Sequence, residues 1–103
     1  MNFSDKIKSL REKKGILQRQ LAAKLEIDTP MYSKIERGER RAKREQVVVL
    51  SKILEIQEEE LLTLWLADKV LELVKDEEIA QNALKLVEEA VKHLRNPNKI
   101  SYV

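Results

Sequence analysis

The chain has 103 residues, of which 43% are apolar and 37% charged, so it can form one cored domain and is too short for two ordinary ones. It contains no cysteine, no long uncharged apolar run and no leader-like N-terminus, which argues against disulfides, secretion and a membrane span and predicts a cytoplasmic protein. With only two glycines and two prolines in a sequence rich in Leu, Ala, Glu and Lys, we expect an all-α fold.

The net charge is only +2, but the charge is unevenly distributed along the chain. Residues 1–54 carry 14 Lys and Arg against 7 Asp and Glu, and the acidic excess lies in the remainder. Such asymmetry suggests a basic face for a polyanion joined to an acidic half with another task. The plainer interpretation, solvated helix faces, suits the C-terminal half better than the basic run from Arg37 to Arg44.

The first two helices are predicted from their apolar spacing and their end signals. Helix 1 begins at a Ser4 cap and ends at Lys13-Lys14-Gly15, because glycine commonly terminates a helix. Helix 2 runs from about Gln18 to Leu25, and Glu26-Ile27-Asp28 forms the turn that follows. Helix 2 has barely two turns, so it needs a surrounding scaffold to be stable.

Helix 3 begins at a Thr29 or Asp28 cap, has Pro30 at its first position and ends at Gly38. Helix 4 covers roughly Arg44 to Leu54, and Glu58-Glu59-Glu60 places acid in the first turn of helix 5.

The apolar spacing of the C-terminal half predicts two longer helices. Helix 5 runs to about Val74, and Asp76-Glu77-Glu78 opens a sixth helix that ends before Asn96-Pro97. The sixth helix carries a broad apolar stripe of two parallel rows. The last residues, 96–103, form a short tail that is either frayed or extended.

The segments "GILQRQLAAKLEIDTPMYSKIERGER" and "LSKILEIQEEELL" resemble the Xre/Cro-like helix-turn-helix domains of bacterial and phage repressors. The resemblance covers about Phe3 to Leu64. This chain departs from the usual family pattern at three places. Glu26 replaces the turn glycine, and Leu17 replaces the Thr before the helix 2 glutamine. Arg41-Ala42 replaces the usual Asn-Pro. Its pattern elements in this chain are Gln18, Leu21, Ala22, Ile27, Ser33, Ile35, Glu36, Arg37 and Gly38.

The resemblance implies a phage-repressor-like five-helix domain over residues 1–64. We expect residues 65–95 to hold the rest of a lengthened fifth helix and an added C-terminal helix. Residues 96–103 would then form the short tail. Glu26 replaces the turn glycine, so we expect it to have a left-handed backbone conformation at a cost of roughly 1 kcal/mol.

Helix 3 is predicted to read DNA. At 100° per residue, one arc of about 140° holds its polar residues, while the apolar Met31, Tyr32 and Ile35 lie opposite. Such a helix can insert into the major groove, where hydroxyl and cationic side chains bond base edges or phosphate. The residues on the polar arc are Thr29, Pro30, Ser33, Lys34 and Arg37.

Other residues are predicted to hold the DNA backbone. Gln18 lies at the positive end of helix 2, next to Arg19, and its amide is expected either to hold a phosphate or to cap the helix. The cations after helix 3 should position the protein without specifying sequence; they are Arg40, Arg41, Lys43 and Arg44. We expect Glu36 to form a structural ion pair or hydrogen bond and not a DNA contact, since phosphate repels a carboxylate. We expect the Tyr32 hydroxyl to reach a polar partner or the domain edge.

Nothing in the sequence favours an enzyme, a cofactor or a metal site. His93 is the only histidine, there is no Gly-rich phosphate loop, and both acidic triplets, Glu58–Glu60 and Asp76–Glu78, fall where helix N-termini favour carboxylates.

The apolar residues beyond Leu64 exceed what a five-helix core needs, which predicts a homodimer. The expected dimerisation residues are Trp65, Leu66, Val70, Leu73, Ile79, Leu86 and Ala90. The sequence thus predicts a sequence-specific regulator of transcription that binds double-stranded DNA at an inverted repeat, with a restriction-modification controller and an antitoxin as two forms that such a regulator can take. The alternative from another class is a helical adaptor whose acidic, apolar C-terminal half binds a partner protein.

Overall fold

The computed structural model describes residues 1–95, and all regular structure within them is α-helical, which confirms the predicted fold class. The chain divides into two compact units, Met1–Val70 and a second that starts at Leu71. The predicted 96–103 tail lies outside the described residues. The helices are α1 (Phe3–Lys13), α2 (Gln18–Lys24), α3 (Thr29–Glu36), α4 (Arg44–Ile53), α5 (Glu58–Val74) and α6 (Ala80–Arg95).

The first four helices all end in the same way. Each is followed by a residue with a left-handed backbone, and the next N–H group bonds back to a carbonyl in the last turn, as in the Schellman motif. The left-handed residues are Gly15, Glu26, Gly38 and Glu55, with φ angles of 66°, 59°, 77° and 55°. The returning bonds are Ile16 N–H to Arg11 O, Ile27 N–H to Ala22 O, Glu39 N–H to Lys34 O and Ile56 N–H to Ser51 O, at 2.8–3.1 Å.

The left-handed conformation expected for Glu26 is confirmed. Glu55, in a second Leu-Glu-Ile segment, has the same conformation, which we did not predict. Both residues have a Cβ, which crowds the backbone in this conformation, whereas glycine adopts it freely. The Glu26→Gly variant should therefore raise the free energy of unfolding by up to about 1 kcal/mol.

Urea unfolding of the wild type and the Glu26→Gly variant would measure this gain. The control is Glu45→Gly, which places glycine in the first turn of α4 and should destabilise the protein. A Glu26→Gly variant no more stable than the wild type would mean that the left-handed conformation at Glu26 carries no strain.

The beginnings of three helices differ from the sequence prediction. The N-cap of α1 is Asn2, whose Oδ1 accepts from the Asp5 N–H at 2.9 Å, so the Ser4 cap is wrong. Asp28 caps α3 by accepting from the Met31 N–H at 2.8 Å, which puts Pro30 second in the helix, not first. The start predicted for α6 at Asp76–Glu78 is also wrong, since those residues form the turn before Ala80.

One hydrophobic core joins the first five helices, and it positions α2 and α3 against α1. Its fully enclosed members include Tyr32, and it extends beyond Leu64 to Trp65, which is only 7% exposed. The buried apolar residues are Phe3, Ile7, Leu21, Ala22, Leu25, Tyr32, Ile35, Ala42, Val47, Leu50, Leu54, Leu61 and Trp65.

Candidate nucleic-acid interface

A buried carboxylate orients the third helix. The Glu36 side chain, 2% exposed, accepts from Arg11 Nε at 2.8 Å and from Arg11 Nη2 at 2.9 Å. It also accepts from the Tyr32 hydroxyl at 2.7 Å and from Gln18 Nε2 at 3.1 Å. These four bonds tie α1 and α2 to α3 and confirm both the structural ion pair predicted for Glu36 and the polar partner predicted for Tyr32.

The bonds also set the ionisation of this cluster. Burial raises the pKa of the Glu36 carboxyl, but the bonds from Arg11, Tyr32 and Gln18 outweigh burial and hold that pKa below its ordinary value. Burial, together with the bond to Glu36, raises the pKa of Tyr32 well above its ordinary range. Glu36 is therefore a carboxylate and Tyr32 a neutral donor at neutral pH.

With Tyr32 and Ile35 buried, α3 turns its polar arc outward as predicted. Thr29, Pro30 and Lys34 are exposed, and Ser33 is half-buried. The arc therefore offers a hydroxyl and a cation near the N-terminal part of a helix, an arrangement that can enter the major groove and bond base edges.

Arg37, the last residue of the predicted arc, is folded back onto its neighbours. Its Nε donates to Glu39 Oε2 at 2.7 Å, and its Nη1 donates to Ser33 Oγ at 2.6 Å. The bond to Glu39 raises the pKa of Arg37 and lowers the pKa of Glu39. We did not predict a role for Glu39, whose only signal in the sequence is an acid inside a basic run.

Gln18 does not cap α2. The Leu17 N–H is capped instead by Gln20 Oε1, at 2.8 Å, and the Gln18 amide donates to Glu36. One amide hydrogen of Gln18 is thus already used, although a second donor remains on the same nitrogen. Arg19, its neighbour, is exposed.

The basic loop, residues 37–43, follows α3 and is attached to α5 through Trp65. Trp65 Nε1 donates to the Ala42 carbonyl at 2.7 Å, so the loop backbone has a fixed position beside the core. The four cations predicted to hold phosphate are all exposed, and none forms an ion pair with another described residue; they are Arg40, Arg41, Lys43 and Arg44.

The residues predicted for dimerisation separate into two groups. Trp65 lies in the core of the first unit, which leaves little of its side chain for a partner. The other six are exposed, and Leu73 and Leu86 reach 81% and 74% exposure. They are Leu66, Val70, Leu73, Ile79, Leu86 and Ala90.

Two other kinds of site do not occur in the described part of the chain. Over residues 1–95, no group of three or more His, Cys, Asp or Glu side chains could hold a metal ion. Within the same range, no helix combines the length and apolar composition that a membrane crossing needs.

A short α2, a tight turn and an outward-facing polar α3, all supported by a shared core, define a helix-turn-helix DNA-binding domain. The family model described as helix-turn-helix matches residues 7–61, more than half of the chain. The chain therefore belongs to the Xre/Cro-like helix-turn-helix family and is a DNA-binding regulator of transcription. Comparisons with curated proteins and with solved structures each found no match.

Proposed function

We propose that this regulator binds double-stranded DNA sequence-specifically, in the cytoplasm, as a homodimer on an inverted-repeat operator. The observation that carries the sequence-specific part is the outward arc of α3, where Thr29, Ser33 and Lys34 share one polar face. Arg19 precedes α3 in the sequence, and the four cations from Arg40 to Arg44 follow it. None of them has an ion-pair partner among residues 1–95, so DNA phosphate can neutralise them.

The homodimer is supported by the exposed apolar side chains of the C-terminal helices. Of the twelve large hydrophobic side chains that are exposed in residues 1–95, ten lie between Leu66 and Leu94. Monomeric proteins rarely leave large apolar patches in water. A two-fold pair of chains would bury these side chains and would place two recognition helices about 34–36 Å apart, one turn of DNA.

Selection of binding sites from random duplex DNA tests the proposal directly. We expect an enriched inverted repeat whose half-sites are spaced by about one helical turn, roughly 10–10.5 bp. Enrichment of no sequence, with measurable binding to all duplexes, would contradict sequence-specific reading.

The selected site then separates the residues that read bases from those that hold phosphates. Lys34→Ala should cost roughly 1–3 kcal/mol on the best site and less on random DNA, because Lys34 lies on the reading arc. Lys43→Ala, the matched control, should weaken all sequences about equally and reduce the log–log salt slope by about one. Equal losses on both DNAs for Lys34→Ala would make Lys34 a backbone contact.

The exposed α6 face also supports a second candidate function, a helical adaptor that binds a partner protein. Its polar side is partly acidic, with Glu88 and Glu89 both exposed. DNA binding that is absent at every salt concentration would favour the adaptor. Within the regulator class, a restriction-modification controller and an antitoxin would be distinguished by the neighbouring genes.

A further inference from the structure

Trp65 lies where the basic loop meets α5, outside the segment that the family model matches. Its indole is buried, and Nε1 donates to the Ala42 carbonyl at 2.7 Å. The indole therefore fixes the loop backbone at the residue between two cations, Arg41 and Lys43.

Three cations gather around this one tryptophan. Arg44 Cζ lies 5.4 Å and Lys69 Nζ 5.5 Å from the centre of the indole ring, distances at which a cation is attracted to the ring face. Arg41 Nη1 donates to the Trp65 carbonyl at 3.5 Å. Lys69 belongs to α5, so the cluster combines side chains from the loop, α4 and α5.

The cations of this cluster are not paired with a carboxylate among the described residues. Within residues 1–95, none of Arg41, Arg44 and Lys69 forms an ion pair. The adjacent acid, Asp68, instead accepts from the Phe3 N–H at 3.1 Å, at the start of α1. Cations that contact one residue without an ion-pair partner repel one another, and binding of anionic groups would relieve that repulsion.

We propose that Lys69 joins Arg41 and Arg44 in binding the phosphate backbone of the DNA, with Trp65 as the positioning residue that holds them. The inference rests on the proposed DNA-binding function, since the basic loop that Trp65 fixes is the one that follows the recognition helix. It extends the DNA contact to α5, beyond the helix-turn-helix segment.

The test compares Lys69→Gln with Lys52→Gln on a duplex of random sequence, long enough for one dimer, at about two turns of DNA. Lys52 is an exposed lysine near the other end of α4, and it too has no ion pair within residues 1–95. Lys69→Gln should reduce the log–log salt slope by about 0.9 and weaken binding by up to about tenfold at roughly 0.1 M salt. Lys52→Gln should leave both unchanged.

Tryptophan emission gives an independent measurement, because Trp65 is the only tryptophan in the chain. Emission should change as the wild type is saturated with the duplex, and the change should shrink in Lys69→Gln. Wild-type protein that binds no duplex would overturn both this inference and the proposed function. This inference alone would be overturned if the wild type binds the duplex, Arg44→Gln reduces the log–log salt slope, and Lys69→Gln leaves that slope unchanged.

Discussion

Replacing Arg11 by Met should lower the free energy of unfolding by about 3–5 kcal/mol, because it leaves the buried Glu36 carboxylate without its counter-charge. The loss is large for a small domain, whose total stability is typically about 5–15 kcal/mol. Arg11 also donates from Nη1 to the Ile16 carbonyl at 2.9 Å, so the end of α1 would lose a bond as well. Urea unfolding at neutral pH, analysed by linear extrapolation, measures the change.

A double variant distinguishes a broken ion pair from general damage. Combining Arg11→Met with Glu36→Gln removes both charges, and the amide oxygen at position 36 can still accept from the Tyr32 hydroxyl. The double variant should be more stable than Arg11→Met alone. Lys14→Met is the exposed control, since the pair of Lys14 with Glu55, at 2.8 Å, is open to solvent and should contribute far less. A double variant as unstable as the single one would contradict the ion-pair explanation.

The same pair predicts a pH dependence with a definite sign. Because the pKa of Glu36 is lowered in the folded protein, its contribution is complete above the ordinary value of 4.5 and is lost as the pH falls through the lower, folded value. The stability difference between the wild type and the double variant should therefore be constant near neutrality and shift against the wild type below about pH 4.5. A difference that does not change on acidification would show that Glu36 is not preferentially ionised in the folded state.

The sequence predicts the helix ends best where a local rule decides them. The glycines at positions 15 and 38 indicate the left-handed residues that end their helices. The left-handed conformation of Glu26 is predicted only because the family resemblance places a glycine there. Glu55 has the same conformation without a family glycine to indicate it, and it lies between Leu54, which is in the core, and Ile56, which packs against the core. Local propensity is overridden there by tertiary structure.

The polar contacts of the site were less predictable than its faces. The arc of α3 follows from helical periodicity alone, but the bond from Gln18 to Glu36 and the bond from Trp65 to the Ala42 carbonyl join segments far apart in the chain. Such pairings depend on how the helices pack, which a single sequence does not specify. Arg37 and Glu39 are close in sequence, but the bond between them forms only in some side-chain rotamers of Arg37, which the sequence does not specify.

Replacing Leu86 by Asp should convert the proposed dimer to a monomer and weaken operator binding by more than any single phosphate contact. Leu86 is 74% exposed on α6, so the substitution should not disturb the fold of the chain itself. At 100° per residue, the apolar residues of α6 span an arc of about 160°, and Leu86 lies at one edge of it beside Ala90. A charge placed there would be buried without a partner in a two-fold interface.

The control is Gln81→Asp, which adds the same charge on the opposite, polar side of α6. Light scattering at micromolar concentration should give a dimer for the wild type and Gln81→Asp, and a monomer for Leu86→Asp. Leu66→Asp and Val70→Asp test the α5 part of the proposed interface. Because a monomer engages one half-site at a time, its loss of affinity should be greatest on the inverted repeat and small on a single half-site. A wild type that is monomeric at every concentration, or a Leu86→Asp variant with full affinity and unchanged half-site spacing, would remove the C-terminal helices from the proposed interface and leave the DNA-reading domain as described.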